Sequence, residues 1–169
     1  MAELLIGCGN QREKMLSLPG KEAFTDLTTL DIDPDAGADV VHDLNVTPYP
    51  FEDDSFDEIP ACEVLEHLGS QGDWRAFFAQ FYELWRILKP DGHLIATCPS
   101  VSSRWAWGDP GHTRTIQPET LTFLSQDQYR QQVGVTSMTD YRHVWSGDFR
   151  PVHLNDDGES FGFVLRAIK

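Results

Sequence analysis

Two glycines and two aspartates in the first quarter of the chain have the types and spacing of a nucleoside site. Gly7 and Gly9 follow the apolar run AELLI, and the lack of a side chain there lets the backbone approach a ligand closely. Asp31 comes about twenty residues later, where a carboxylate can accept hydrogen bonds from both hydroxyls of a ribose. Asp43 follows a third apolar run, and its carboxylate can accept from an adenine amine while the backbone N–H of Leu44 donates to the ring. These residues predict an adenosine site.

The elements that must position these residues are strands that alternate with helices. Short apolar runs predict five strands, over residues 2–6, 27–33, 38–44, 55–65 and 93–99. Between the last two, apolar residues recur at steps of three and four, which predicts a long helix that Asp73 caps and that Pro90 and Gly92 end. A further helix is predicted over 117–129, with Pro118 in its first turn. The alternating C-terminal segment with its NDDGES turn predicts an antiparallel pair.

This alternation predicts a single α/β domain over residues 1–169. Its parallel sheet would be covered on both faces and would have an antiparallel edge. Ligands of such sheets bind beyond the carboxyl ends of the strands. The predicted strand ends carry the glycine pair, Asp31, Asp43, Cys62–Glu63 and Pro99, so we expect these positions to surround the site.

Composition narrows the class of partner. Thirteen basic residues against twenty-seven acidic residues give a formal charge of −14, which repels a phosphate backbone and disfavours nucleic acid. No apolar run is long enough to span a membrane and no signal segment precedes the first strand, so we expect a cytoplasmic protein. The three cysteines, Cys8, Cys62 and Cys98, lack the paired spacing of metal ligands. We therefore expect reduced thiols and no metal site.

Six segments in unbroken order resemble the class I S-adenosylmethionine-dependent methyltransferases over residues 3–99. These segments are LLIGCGN, LDIDP, DVVHDLN, PYPFEDDSFDEI, CEVLEHL and RILKPDGHLIATCP. The resemblance implies a Rossmann-like, doubly wound sheet of seven strands in the order 3-2-1-4-5-7-6, with the last strand antiparallel. It also implies S-adenosylmethionine as the methyl donor and S-adenosylhomocysteine as the product.

The resemblance also implies which residues bind the cofactor. The glycine turn would lie along the methionine part, Asp31 would hold the ribose, Asp43 and Leu44 the adenine, and Cys62 or Glu63 would face the cofactor after the fourth strand. The implied set is Gly7, Cys8, Gly9, Asp31, Ile32, Asp43, Leu44, Cys62 and Glu63.

Leu5 and Gln11 depart from the family's first motif, which usually has an acid and a third glycine at these positions. Because the first two glycines are kept, we interpret the loop as a working variant of the motif. We expect the two departures to lower cofactor affinity and not to change the family to which the chain belongs. A dinucleotide-binding oxidoreductase needs a glycine where Arg12 stands, which disfavours that alternative. A catalytically silent protein of the same fold, acting as a partner or regulatory subunit, stays open. Pro60 is expected to end the pairing of the fourth strand.

The segment 99–118 is the predicted acceptor-side loop or lid, because it is long and combines aromatic surface with hydrogen-bond donors. The residues expected to contact the acceptor are Arg104, Trp105, Trp107 and Arg114. Two arginines beside tryptophans suit a small molecule of carboxylate, phosphate or sugar type. His112 is the candidate general base, whereas His67 is expected to pack or cap near the cofactor pocket.

The first strand begins at the start of the chain, so we expect the acceptor-side loop, rather than preceding helices, to cover the site. A homodimer is a second arrangement that would cover an exposed site edge.

Overall fold

Four parallel strands place the predicted cofactor residues along one edge of the sheet. In the computed structural model, which describes residues 1–169, these strands are β1 (Ala2–Ile6), β2 (Asp26–Asp31), β3 (Val40–Val41) and β4 (Phe56–Cys62). β1 is flanked on both sides, since Glu3 pairs with Leu27 of β2 and with Glu58 of β4. Each strand overlaps the segment that the apolar pattern predicted, and β2 begins one residue before it, so the carboxyl ends of these strands meet at the same edge.

Three further strands complete a mixed sheet. They are β5 (Leu88–Pro99), β6 (Phe149–Asp156) and β7 (Ser160–Ala167). The seven strands are ordered β3-β2-β1-β4-β5-β7-β6, and β7 is antiparallel to both of its neighbours. This order confirms the predicted fold class, and the β6–β7 pair confirms the predicted antiparallel segment. None of the helices described below combines the length and apolar character that a bilayer span requires.

Helix α1 (Trp74–Ile87) covers one face of the sheet. Asp73 caps it as predicted, because its carboxylate accepts a hydrogen bond from the backbone N–H of Ala76 at 3.1 Å. Phe81 and Leu84 are fully buried in the main hydrophobic cluster together with alternate residues of the central strands. The apolar stripe of this helix is therefore core, as its spacing indicates.

The end of α1 differs from the prediction. Leu88 already belongs to β5 and pairs with Phe56 of β4, so the helix ends at Ile87. Pro90 and Gly92 consequently lie within the strand and do not stop the helix. Pairing between strands, rather than local turn residues, sets this boundary.

The single helix predicted over 117–129 is two short helices, α2 (Pro118–Thr122) and α3 (Gln126–Gln132). Ser125 separates them with an extended backbone, and its hydroxyl accepts from the backbone N–H of Gln128 at 3.4 Å. Serine is a strong N-cap residue, so the chain begins a new helix there instead of continuing the first.

The second face of the sheet is covered without a helix. Residues 10–25, which connect β1 to β2, contain only turns and irregular segments. The side chain of Lys14 is fully buried there, where it donates to Glu58 at 3.0 Å and pairs with Glu3. Burial opposes ionisation of Glu3, but hydrogen bonds from Lys14 and Thr25 outweigh it and lower the pKa of Glu3. Buried ion pairs thus stand where a helix would present apolar side chains.

Pro60 does not end the pairing of β4, contrary to the prediction. It pairs with Ile95 of β5, and the register continues to Cys62 and Thr97. Successive residues of a strand direct their N–H groups to alternate sides, so a proline removes one ladder bond and leaves the others in place.

Candidate cofactor and acceptor site

A cleft of about 250 Å³, which we call the rim cleft, opens at the carboxyl ends of β1 to β4. Five of the nine predicted cofactor residues line it, namely Gly7, Asp31, Ile32, Asp43 and Leu44. The other lining residues are His42, Asn45, Val64, His67 and Leu68. The strand ends therefore bring the predicted ribose and adenine residues into one concave site, at the place where wound sheets bind ligands.

The turn after β1 needs glycine at its first position. Gly7 has a φ of +60°, and a Cβ on it would lie 2.4 Å from Cγ2 of Val64. Gly9 also has a positive φ, and its N–H donates to Oδ2 of Asp31 at 2.7 Å. The other oxygen of Asp31 accepts from the N–H of Asp33 at 2.9 Å. Asp31 thus fixes the glycine turn to the end of β2.

Arg12 stands where a dinucleotide-binding loop has its third glycine. Its guanidinium donates to the carbonyl oxygen of Gly9 at 2.9 Å and to that of Ala36 at 3.1 Å. These bonds hold the loop against the turn after β2, and no helix follows the glycine turn between β1 and β2. Because that motif binds a pyrophosphate at a helix N-terminus, the geometry disfavours the dinucleotide-binding alternative.

Asp43 and Leu44 present an acceptor and a donor side by side in the rim cleft. Asp43 accepts from the backbone N–H of Asn45 at 2.8 Å and from its side-chain amide at 3.1 Å, both through Oδ1. Neither Oδ2 of Asp43 nor the backbone N–H of Leu44 has a hydrogen-bond partner in the protein. The Asn45 side chain accepts from the N–H of Gly69 at 2.8 Å, which fixes this segment to the chain after β4.

Four predicted cofactor residues lie outside the lining of the rim cleft: Cys8, Gly9, Cys62 and Glu63. The Cys62 thiol lies beside the backbone of Met15 on the second face of the sheet, and burial raises its pKa. Burial likewise raises the pKa of the Cys8 thiol. Glu63 is exposed and has a φ of +52°. The two thiols therefore serve as packing groups in this structure.

Glu66 is a site residue that the sequence analysis did not identify. It lies in the short 3-10 helix Leu65–His67 after β4, it is 2% exposed, and neither of its carboxylate oxygens has a hydrogen-bond partner. Burial raises the pKa of Glu66 to about 8. Nε2 of His112 lies 3.9 Å from Oε1 of Glu66, and the rings of His67 and His112 meet edge to face. The available signal was the adjacent Glu and His in CEVLEHL.

The structure separates the residues predicted to contact the acceptor. Trp105 and Trp107 are 52% and 59% exposed, and Arg104 lies over the ring of Trp105 at 5.1 Å on the surface. The side chain of His112 instead turns inward, and its Nδ1 donates to the carbonyl oxygen of Trp105 at 2.8 Å. The loop therefore has an exposed aromatic part and an inward-facing imidazole.

Arg114 is buried in a second cleft of about 220 Å³, which we call the aromatic cleft. Its Nε donates to the carbonyl oxygen of Leu65 at 2.9 Å, while its Nη2 has no partner. Burial lowers the pKa of the Arg114 guanidinium to about 10. The aromatic residues of this cleft are Trp74, Phe77, Phe78, Phe123 and Tyr141. Arg104 is exposed outside it, so the two arginines do not share a site.

Comparison with known proteins identifies the family of the chain. A family model described as a methyltransferase domain matches residues 4–96. No curated protein sequence matches the chain. Among solved structures, the chain is similar to a SAM-dependent methyltransferase from Archaeoglobus fulgidus, with 15% identity over 98% of this chain and 85% of that chain and a TM-score of 0.59.

Two further solved structures are similar. One is the N-methyltransferase NodS from Bradyrhizobium japonicum in complex with S-adenosyl-L-homocysteine, with 17% identity over 99% of this chain and 78% of that chain and a TM-score of 0.59. The other is a SAM-dependent methyltransferase from Aquifex aeolicus, with 15% identity over 99% of this chain and 82% of that chain and a TM-score of 0.53.

At these identities the structural matches show the fold alone. The family match covers more than half of the chain and includes the glycine turn, Asp31, Asp43 and Glu66. The chain therefore belongs to the methyltransferase domain family, as its resemblance to the class I S-adenosylmethionine-dependent methyltransferases implied.

Proposed function

We propose that this S-adenosylmethionine-dependent methyltransferase holds its cofactor in the rim cleft and methylates a small molecule that carries an acidic group. The observation that carries the cofactor proposal is the unpaired Oδ2 of Asp43 beside the unpaired N–H of Leu44. Adenine offers the complementary groups, an amine donor and ring-nitrogen acceptors. The family match supplies the reaction class.

The other residues of the rim cleft fit an adenosyl group. A carboxylate has about four acceptor positions, and Asp31 uses two of them on backbone N–H groups, so it can also accept from ribose hydroxyls. Ile32 is exposed at the cleft and offers an apolar surface for the adenine ring. Gly7 keeps the backbone free of a side chain where the methionine part would lie.

The cofactor, when bound, supplies a methyl group activated by a positively charged sulfur. The contribution of the chain is to align the acceptor with that methyl group, which can supply most of the acceleration. We assign residues 99–118 to the acceptor side, because Trp105 and Trp107 expose apolar surface that a bound acceptor would cover.

Arg114 supports an acceptor with a carboxylate or phosphate group. Its unpaired Nη2 is buried among aromatic side chains, and a guanidinium binds carboxylate and phosphate oxygens through paired N–H donors. The two clefts are lined by residues close together in the chain, since Ser70 lines the aromatic cleft and Leu68 the rim cleft. An apolar acceptor with one acidic group would match this lining.

His112 keeps one nitrogen free for chemistry. Because Nδ1 donates to the carbonyl oxygen of Trp105, Nε2 is the basic nitrogen of the neutral ring. This nitrogen could take a proton from an acceptor hydroxyl or amine, as the sequence predicts for a general base. An acceptor atom that is already anionic makes such a base unnecessary.

Calorimetric titration with S-adenosylhomocysteine tests the cofactor proposal. We expect binding by the wild-type protein and a loss of about tenfold or more in affinity for Asp43→Ala. Asp35→Ala is the matched control, because Asp35 is exposed nearby and does not line the rim cleft. Ligand at one hundred times its dissociation constant should stabilise the fold by about 2.7 kcal/mol. A folded protein that is neither bound nor stabilised would instead support the catalytically silent alternative, and tight binding of NAD alone would support the dinucleotide alternative.

A further inference from the structure

Three ligand-type side chains from two distant segments converge beside the rim cleft. They are Glu66 and His67, in the 3-10 helix after β4, and His112, in the loop after β5. Their potential ligand atoms all lie within 4.8 Å of one another, and Nε2 of His112 is 3.9 Å from Oε1 of Glu66. His67 is the exposed member of the three, whereas Glu66 is buried.

Both imidazoles are already oriented by backbone carbonyls. Nδ1 of His67 bonds to the carbonyl oxygen of Gly111 at 3.1 Å, and Nδ1 of His112 bonds to that of Trp105 at 2.8 Å. A carbonyl can only accept, so each ring carries its proton on Nδ1. Nε2 has no hydrogen bond on either ring, so it is the nitrogen available to an ion. This arrangement is the one that metal-bound histidines commonly show, with the second nitrogen donating to a carbonyl or carboxylate.

Glu66 provides an independent indication that a cation belongs here. It is 2% exposed, and both of its carboxylate oxygens lack a hydrogen-bond partner. The guanidinium of Arg114 lies close enough to attract Glu66, but it forms no ion pair with it, and its Nε donates to the carbonyl oxygen of Leu65. The ionised form of a buried carboxyl group without partners is costly, and buried carboxylates are normally paired or coordinate a metal.

We infer that Glu66, His67 and His112 form a binding site for one divalent transition-metal ion of the Zn²⁺ type. Two imidazoles and one carboxylate are ligands that Zn²⁺ and its neighbours in the first transition row accept, and three protein ligands leave a position for water or another ligand. The spacing of the cysteines predicted no metal site, and none of these three ligands is a cysteine. In this assignment Nε2 of His112 binds the ion and is not a general base.

A metal at this position would connect two parts of the proposed methyltransferase site. His67 lines the rim cleft, while His112 belongs to the acceptor-side loop over residues 99–118. The loop already bonds to the segment after β4 through the N–H of Thr113, which donates to the carbonyl oxygen of Glu66 at 2.9 Å. The ion would add a further connection between the loop and the cleft, through side chains of both segments.

Metal titration of the purified full chain, first stripped with a chelator, tests the inference. We expect Zn²⁺ to bind at one equivalent, to raise the melting temperature, and to be replaced by Co²⁺ with visible absorption typical of nitrogen and oxygen ligands. Glu66→Gln and His112→Gln should each lower the affinity for Zn²⁺ by about 100-fold or more. Removing a group that only hydrogen-bonds to a metal ligand causes a smaller loss. His153→Gln, an exposed histidine of β6, is the matched control and should bind as the wild type does.

Absence of stoichiometric Zn²⁺ and Co²⁺ binding by the folded wild type would overturn the inference, as would unchanged affinity in both ligand variants. Intense thiolate-to-cobalt absorption would overturn it too, because that signal assigns the ion to the cysteines. Circular dichroism in the presence of chelator verifies that each variant folds. If Glu66→Gln does not fold, the loss of Zn²⁺ affinity is measured on His112→Gln alone. Binding of S-adenosylhomocysteine is measured separately, so failure of the metal site and failure of the cofactor proposal are distinguishable.

Discussion

The carboxylate of Asp31 accepts a hydrogen bond from the backbone N–H of Gly9 at 2.7 Å, which joins the end of β2 to the glycine turn after β1. The residue proposed to hold the ribose therefore also shapes the turn beside it. Arg12 holds the same turn from the other side through the carbonyl oxygen of Gly9. Together they maintain the loop although Leu5 and Gln11 stand at the positions of the usual acid and third glycine.

Replacing Asp31 should reduce stability even without ligand. Asp31→Ala removes a charged acceptor from the N–H groups of Gly9 and Asp33, and we expect a loss of about 1.5–3 kcal/mol in the free energy of unfolding. Urea unfolding of the ligand-free protein measures it. Asp35→Ala, a nearby exposed substitution, should change stability by about 0.5 kcal/mol or less. Equal stability of the two variants would contradict the structural role of Asp31.

Adding a methyl group at Gly7 should be costly for two separable reasons. Its φ of +60° disfavours any side chain by about 1–2 kcal/mol, and contact with Val64 adds about 1–3 kcal/mol of overpacking. We therefore expect Gly7→Ala to lose about 2–5 kcal/mol of unfolding free energy in chemical denaturation.

Two comparisons separate those reasons. Gly9→Ala should incur only the backbone cost, because a Cβ there meets no atom within 4 Å. Combining Gly7→Ala with Val64→Ala should be less unstable than the sum of the single changes. Strict additivity of the two changes would show that contact with the Val64 methyl groups carries no cost.

Removing the Lys14 ammonium should leave the carboxylate of Glu3 buried without its main partner. We expect Lys14→Met to lose about 3–5 kcal/mol at neutral pH, with Lys89→Met as control. Lys89 pairs with Asp57 where both side chains are partly exposed, so its replacement should cost about 1 kcal/mol or less.

The same substitution should change the pH dependence of stability. The pKa of Glu3 in the folded protein lies below its ordinary value of 4.5, so its pairing stabilises the wild type above that value. This contribution is lost as the pH falls through the folded pKa. The gap in unfolding free energy between wild type and Lys14→Met should therefore narrow below pH 4.5. A gap that stays constant down to acid pH would contradict the pairing.

Arg114 and Arg104 should contribute differently to acceptor recognition. Arg114→Lys keeps the charge but loses the planar donors, so we expect about tenfold or greater loss of methyl transfer to acidic acceptors. Arg104→Lys, on the exposed surface of the same loop, should stay close to wild type. The measurement is transfer of a labelled methyl group from S-adenosylmethionine to a panel of apolar carboxylates and phosphates. S-adenosylhomocysteine affinity should be unchanged in both, and a loss confined to Arg104→Lys would refute the role of Arg114.

Sequence patterns determined the features that depend on near neighbours in the chain. Alternating apolar runs marked the strands, three- and four-residue steps marked α1, and Asp73 marked its start, because these signals arise within a few residues. The glycine turn, Asp31 and Asp43 could be predicted as one site, because parallel strands bring their carboxyl ends to the same edge. The predicted helix boundaries were wrong at Leu88 and at Ser125. Strand pairing ends α1 before Leu88, and the Ser125 N-cap begins a new helix.

Only the tertiary structure decided which distant charged groups meet and which become buried. Glu66, His67 and His112 converge because the loop after β5 folds back on the chain after β4. Arg104 and Arg114 belong to one loop, yet one is exposed and the other is buried. Hydrophobic periodicity in the sequence cannot predict such contacts. They depend on the path of the connecting segments and on which groups lie beside each charged side chain once it is buried.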